Sequence, residues 1–296
     1  MKAPTIKQLK YFVALTESGH FGRAAERCFV SQSAFSHAIR EFEETLDAQL
    51  VDRTNRNVTI TADGREVAVQ ARLVLRDLDS LVETARGAKE PLAGDLRLGV
   101  IPTIAPFVLP DALPTIRKQY PELRLLLTED QTQRIYARLM EGELDVLLMA
   151  LPWEMQGVEK LPLFRDAFCL ACHKNTQHVE PENYRFNRLD SDSVLLLEDG
   201  HCLREHALAA CKIRNTQKVS RFGASSLLTL IEMVDADLGV TFLPEMARGS
   251  SLLQNTRVKL YSMGERSYRT IGLVWRKGSR RTEEFRLLGE FFRNRR

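Results

Sequence analysis

Apolar residues recur three and four positions apart through the first sixty residues, the spacing of one helix face. Ile6, Leu9 and Val13, with Phe12 alongside, mark a first helix that Gly19-His20 breaks. A second helix is predicted over Gly22–Cys28, with Ala24 and Ala25 as small residues where another helix can pass close. Val30-Ser31-Gln32 reads as a tight turn, and Ser31 suits the N-cap of a third helix. That helix carries Phe35, Ala38, Ile39, Phe42 and Leu46 on one face and Gln32, Ser33, Ser36, His37 and Arg40 on the other. Val58-Thr59-Ile60-Thr61 has strand composition and follows a polar turn holding Arg53 and Arg56. Helix, short turn, helix and basic hairpin make the winged helix-turn-helix pattern, which predicts a mainly helical domain over residues 1–61.

Residues 62–90 change to a heptad stripe: Val67, Ala71, Val74, Leu78, Leu81 and Ala85, flanked by charges. Such a stripe buries itself against a partner helix, so a linker helix and a homodimer are expected; packing on its own domain is the competing reading. Gly87 and Pro91 close the segment. From Gly94 onward strands and helices alternate. Strand candidates are Leu96–Ile101, Leu123–Thr128, Leu144–Ala150, Ala167–Cys172, Val194–Leu197, Gly239–Leu243 and Ile271–Trp275. An α/β domain over 91–296 follows, with one subdomain from 91–167 and 271–296, a second from 168–270, and a ligand cleft between them.

Composition narrows the partners. The 296 residues suit about two domains. No apolar run approaches the ~18 residues of a membrane span, and the run Tyr11–Leu15 is too short for a signal peptide, so a cytoplasmic protein with no membrane partner is expected. Five cysteines fit a reducing compartment. A net charge of +3 argues nothing about nucleic acid, and residues 1–61 hold eight Lys/Arg against seven Asp/Glu. The case for double-stranded DNA rests on pattern. A helix fits the major groove, where Gln32, Ser33, Ser36, His37 and Arg40 can meet base edges, while Arg53 and Arg56 can neutralise phosphates. A helical bundle used for protein contacts is the alternative. The seven basic residues against three acidic ones in 277–296 read as a solvated helix face.

No HExxH, GxSxG or glycine-rich phosphate loop is present, so neither an enzyme nor a cofactor is expected. Cys28 and Cys169 read as small buried hydrophobes. Cys169 and Cys172 fall on opposite faces of a strand, which disfavours a redox or metal pair. Cys202, His206 and Cys211 lack a fourth ligand for zinc, so no metal site is expected. His20, His173 and His178 read as surface residues.

The order of parts resembles the LysR-type transcriptional regulators over the whole chain. The strongest motif runs from Ala24 to Ser36, Ala-Ala-Glu-Arg-Cys-Phe-Val-Ser-Gln-Ser-Ala-Phe-Ser, with Ser33 where the family has Pro and His37 where it often has Arg. Leu50-Val51-Asp52-Arg53 and Thr61-Ala62-Asp63-Gly64 match the wing and the entry to the linker helix. Leu197-Glu198-Asp199-Gly200-His201-Cys202-Leu203-Arg204, with Cys211 nine residues after Cys202, resembles the sensing loop of the hydrogen-peroxide-responsive subgroup. Gly99–Thr103, Gln131-Thr132 and Arg269–Val274 match it as well. The resemblance implies a periplasmic-binding-protein-like regulatory domain, a homodimer or homotetramer, and contact with RNA polymerase. It implies that peroxide oxidises Cys202, that Cys211 resolves it as a disulfide, and that Thr103, Thr132, His201 and Arg269 line the pocket. Leu228 and Ile231 stand where the subgroup carries a glutamate and an arginine.

Peroxide attacks a thiolate, and a free cysteine with pKa ~8.5 is mostly protonated at pH 7. A helix opening at Cys202 would favour the thiolate, as would Arg204 and Arg269, while Glu198 and Asp199 oppose it. If residues 203–213 are helical, Cys202 and Cys211 lie about 13 Å apart. A disulfide needs Cα atoms within about 7 Å, so its formation requires the segment to unwind. A LysR-type regulator answering a small carboxylate or aromatic metabolite, held by Thr103 and Thr132, is the alternative function. A solute-binding domain or enzyme with a helical appendage is a third, weaker one.

Overall fold

Each early helix is bounded by a residue that satisfies its free backbone groups. In the computed structural model, which describes residues 3–53, 58–85, 91–185, 189, 192–210, 218–264 and 267–294, the chain divides into two compact units. In the first, α1 (Ile6–Ser18) opens on a capping box in which Gln8 N–H donates to Thr5 Oγ1 and Thr5 N–H donates to Gln8 Oε1. It ends at left-handed Gly19. His20 then accepts from Gly22 N–H and Arg23 N–H as the N-cap of α2 (Phe21–Arg27), which lies one residue earlier than the pattern predicts. Ser31 caps α3 (Gln32–Leu46) by accepting from Ala34 N–H. β1 (Val51–Arg53) and β2 (Val58–Ile60) pair antiparallel, and α4 (Ala62–Ala85) follows. Phe12, Leu15, Phe35, Ile39, Phe42 and Leu50 are fully buried, and the Tyr11 ring stacks on Phe35 at 5.0 Å. Each such side chain contributes roughly 1.5–3 kcal/mol of burial.

The heptad stripe divides. Ala71 is buried and Val67 packs on the same core beside Ala68 and Leu75, so the early stripe serves its own unit, against α1. Val74 and Leu81 remain 50% and 59% exposed, and Leu78 is half-buried. The Ala85 side chain lies outside the described residues, as does Arg56; the Arg53 side chain does too.

The second unit is built on a seven-stranded sheet of order β10-β6-β11-β5-β3-β4, with β9 also on β6. β3 (Gly94–Val100), β4 (Leu123–Glu129) and β5 (Val146–Leu151) are parallel, connected through α5 (Ala105–Gln119) and α6 (Thr132–Met140). β6 (Val158–His173) is sixteen residues long. Its first part pairs with β11 (Tyr268–Arg276), and from Phe168 onward it pairs with β9 (Thr241–Pro244) and β10 (Val258–Ser262). β7 (Val194–Leu197) and β8 (Val219–Ala224) form a separate parallel pair beside α7 (Cys202–Ala210) and α8 (Leu227–Asp235). The short α9 (Ser251–Gln254) precedes β10, and α10 (Thr282–Arg293) ends the described chain.

Two apolar cores are built on different parts of that sheet. One is built from β3, β5, β11 and α10, with Leu98, Val146, Leu148, Ile271 and Phe285. The other is built from the far half of β6, β7, α8 and β9, with Phe168, Leu196, Ile231 and Phe242. The seven strand candidates all fall on strands. The pattern missed β8, β10 and the first half of β6. Among the described residues, no helix is long and apolar enough to cross a membrane.

Gly64, in the first turn of α4, fixes how the hairpin meets that helix. A Cβ there would sit 2.2 Å from the Leu50 carbonyl oxygen. Gly64→Ala is expected to destabilise the first unit by about 1–3 kcal/mol in urea unfolding, the cost of overpacking. An unchanged unfolding midpoint would contradict the close approach.

Candidate functional site

Among the described residues, the largest fully buried side chain is Arg269, on β11. Its register partner on β6 is Asp166, and Arg269 Nε–H donates to Asp166 Oδ2 at 2.9 Å with both side chains shut off from water. The rest of the guanidinium is spoken for. Nη1 donates to Thr103 Oγ1 and Nη2 to the Thr103 carbonyl, each at 2.9 Å, and Nη2 also reaches Met246 Sδ at 3.7 Å. Asp166 Oδ1 accepts from Met246 N–H at 3.2 Å. One ion pair therefore ties together the turn after β3, the turn after β9 and two adjacent strands. Such a pair survives burial only because its remaining donors and acceptors are satisfied.

Cys202 is the first residue of α7 and is 2% exposed. Burial pushes its thiol above the ordinary cysteine range; the Arg269 charge, the Thr132 hydroxyl and its own backbone N–H act the other way, and Glu205 adds to the rise. Burial is the largest of these influences, and it gives the direction that the balance of charges in the sequence left open. Thr132, first in α6, is buried, with its hydroxyl directed at the Cys202 sulfur. His201 is buried next to Cys202. Gly200, at φ 97°, lets the loop run against Gln131; a Cβ there would meet Gln131 Oε1 at 2.7 Å. Thr103, Thr132, His201, Cys202 and Arg269 are all buried in one unit. Cys211 lies outside the described residues.

Other expectations fare unequally. Arg204 does not act on the thiol: it pairs with Asp199 at 3.1 Å and donates to the Leu197 carbonyl. His206 is held by the carbonyl of Pro152 at 3.0 Å, and burial lowers it below the usual imidazole range. His20 is exposed as expected, but His173 and His178 are half-buried, His178 on the Asp237 carbonyl. Cys28 is likewise only half-buried. Cys169 is fully buried and its thiol donates to Glu245 Oε2 at 2.6 Å, which together with burial pushes it up to about 12; Cys172 is pushed up to about 11, chiefly by burial. Ile231 belongs to the second core, while Leu228 is 53% exposed. Gln32, Ser33, His37 and Arg40 are exposed along α3, as the amphipathic pattern predicts, while Ser36 is half-buried; His37 lies 3.7 Å from Glu41.

Sequence reasoning missed Asp166 and Met246. A lone acid in the apolar run around Phe168 was the available signal for Asp166. Met246 carries none, since a methionine in a turn after a strand reads as ordinary packing.

Two domain families match the chain: the bacterial regulatory helix-turn-helix protein, lysR family, over residues 6–65, and the LysR substrate binding domain over 89–296. The HTH-type transcriptional regulator EstR of Acinetobacter baylyi is 41% identical over 283 residues, covering 95% of this chain and 94% of that protein. The DNA-binding transcriptional dual regulator OxyR of Escherichia coli is 38% identical over 290 residues, covering 98% of this chain and 95% of that one. Full-length OxyR of Pseudomonas aeruginosa, solved with a cysteine-to-aspartate substitution, superposes with a TM-score of 0.83 at 30% identity, covering 99% of this chain and 96% of that chain. The reduced regulatory domain of OxyR2 from Vibrio vulnificus gives a TM-score of 0.66 at 42% identity, covering 70% of this chain and 99% of that one.

Removing the guanidinium leaves Asp166 as a buried, uncompensated charge. Arg269→Gln is expected to lower unfolding stability by about 3–5 kcal/mol, and the Asp166→Asn/Arg269→Gln double variant to recover part of it. Additive losses in a urea double-mutant cycle would mean the two are not coupled. Because burial raises the Cys202 thiol, its alkylation by iodoacetamide is expected to keep accelerating with pH beyond about 9. A rate already level at pH 7 would contradict a protonated resting thiol.

Proposed function

The chain belongs to the LysR family of bacterial transcriptional regulators, and we propose that it is a peroxide-responsive member whose sensing thiol is Cys202. The observation that carries this reading is a cysteine buried at the first turn of a helix under the charge of a fully buried arginine. Relatives over nearly the whole chain bear the name hydrogen peroxide-inducible genes activator, including that of Haemophilus influenzae at 38% identity.

Peroxide enters beside Cys202, and the thiol proton leaves as the sulfur attacks one peroxide oxygen. The O–O bond breaks, the sulfur becomes a sulfenic acid, and the leaving hydroxide takes up that proton as water. Negative charge passes from sulfur to the departing oxygen, where fixed donors are worth most. Arg269 supplies positive charge. The Thr103 hydroxyl accepts from Arg269, which leaves its own proton free to donate, and the Thr132 hydroxyl faces the Cys202 sulfur. His201 helps close the pocket to bulk water. The sulfenic acid then condenses with the Cys211 thiol, giving a disulfide and a second water.

That second step needs a change of shape. From Cys202 to Ala210, α7 rises about 12 Å, beyond the ~7 Å a disulfide allows. Cys202 packs in the first core of the regulatory unit, whereas Leu203 and Ala207 pack in the second. Unwinding α7 therefore withdraws side chains from both cores, and the two packings are the two states of the switch. The output is altered binding to double-stranded DNA through Gln32, Ser33, Ser36, His37 and Arg40 on α3 and through Arg53 and Arg56 of the wing. Val74, Leu78 and Leu81 join copies as a homodimer or a larger assembly, which meets RNA polymerase in the cytoplasm. No catalytic turnover is part of this role.

A second reading, a metabolite effector in the same pocket, is favoured by the 41% identity to EstR, whose name carries no peroxide. Brief treatment with micromolar peroxide separates the two. One Cys202–Cys211 disulfide is expected in the non-reducing peptide map, absent from Cys202→Ser. Two free thiols after treatment would refute peroxide sensing, and a metabolite-induced thermal shift unaffected by Cys202→Ser would support the second reading.

A further inference from the structure

Phe29 is 95% exposed, the most exposed large apolar side chain among the described residues, and its backbone sits at φ 56°. Both facts come from the turn it occupies. After α2 ends at Arg27, Phe29 N–H donates to the Glu26 carbonyl and Val30 N–H to the Ala25 carbonyl, each at 3.1 Å. This pair of bonds closes a helix only around a left-handed residue, and glycine or asparagine usually fills the position. A phenylalanine there crowds its Cβ against the next carbonyl. Val30, the next residue, folds back onto the core of the first unit and supplies the apolar contact that completes the motif. The ring of Phe29 gains nothing from folding, and its backbone is strained. Nothing within the first unit accounts for an aromatic residue at this place.

What lies beside it does. Ser31, two residues on, caps α3, and the exposed first turn of α3 presents Gln32 and Ser33. We propose that the Phe29 ring is an apolar contact to duplex DNA, lying against deoxyribose carbons or a thymine methyl at the groove edge where the first turn of α3 enters. This rests on the reading of α3 as the DNA-facing helix. Phe29 stands three residues before Gln32, the first residue of that turn. A phenyl ring carries no charge, so it adds affinity without displacing counterions, unlike the arginines that meet phosphate.

The test uses the full-length chain and a duplex that the wild type recovers from a random-sequence pool. Phe29→Asn relieves the strained turn and removes the ring, so the two readouts move in opposite directions. The melting temperature is expected to rise by about 2 °C. The Kd is expected to rise about tenfold, with the slope of log Kd against log salt unchanged. Arg53→Ala, by contrast, should flatten that slope. Replacing thymine by uracil in the duplex identifies the contacted atoms: a matching loss in the wild type points to the methyl, and none points to the sugar. Equal affinity of wild type and Phe29→Asn, or a loss of binding that tracks a change in oligomeric state by sedimentation, would overturn the proposal. A wild type that recovers no duplex from the pool would instead refute DNA recognition by α3, and this contact with it.

Discussion

A guanidinium shut off from water must have its counter-charge supplied by the fold, and here that charge sits directly across a strand pair. The register of β6 and β11 sets Arg269 opposite Asp166, so the ion pair is specified by the same hydrogen-bond ladder that builds the sheet. Its remaining donors then dictate where the turns after β3 and β9 must lie. The site is stiff because moving any one of these segments would leave a buried charge unsatisfied. Against that rigid floor, Cys202 sits on the first turn of α7, the helix that the proposed disulfide would have to unwind.

The helical half of the protein was legible because its physics is local. Three-and-four spacing, Ser31 and the Gly19-His20 break each act within a turn or two, and the structure places α1 and α3 accordingly. The α4 stripe was less so. A heptad says that a face is apolar but not what covers it, and Ala71 turned out to be covered by the same unit while Val74 and Leu81 were not. β8 and β10 escaped because polar residues such as Ser220, Arg221 and Lys259 interrupt their apolar pattern.

In the pocket, motif resemblance named residues, but only three dimensions gave signs. The charge balance at Cys202 could be argued either way from sequence, since burial, the dominant influence, depends on what packs over the sulfur. Arg204 looked like a helper and is occupied by Asp199. Asp166 looked like nothing and anchors the site. A partner 103 residues away along the chain leaves no spacing to read.

The two remaining buried sulfurs of β6 have a bearing on how a cell could trust such a device. With Cys169 pushed up to about 12 and Cys172 to about 11, fewer than about one in a thousand of either carries a negative charge at neutral pH. Under the proposed function, both are poor competitors for oxidant and poor rivals for mispairing with the sulfenic acid. Fidelity in a thiol-based detector comes as much from muting the bystanders as from tuning the receiver, and here a carboxylate and a tight strand interior keep them silent.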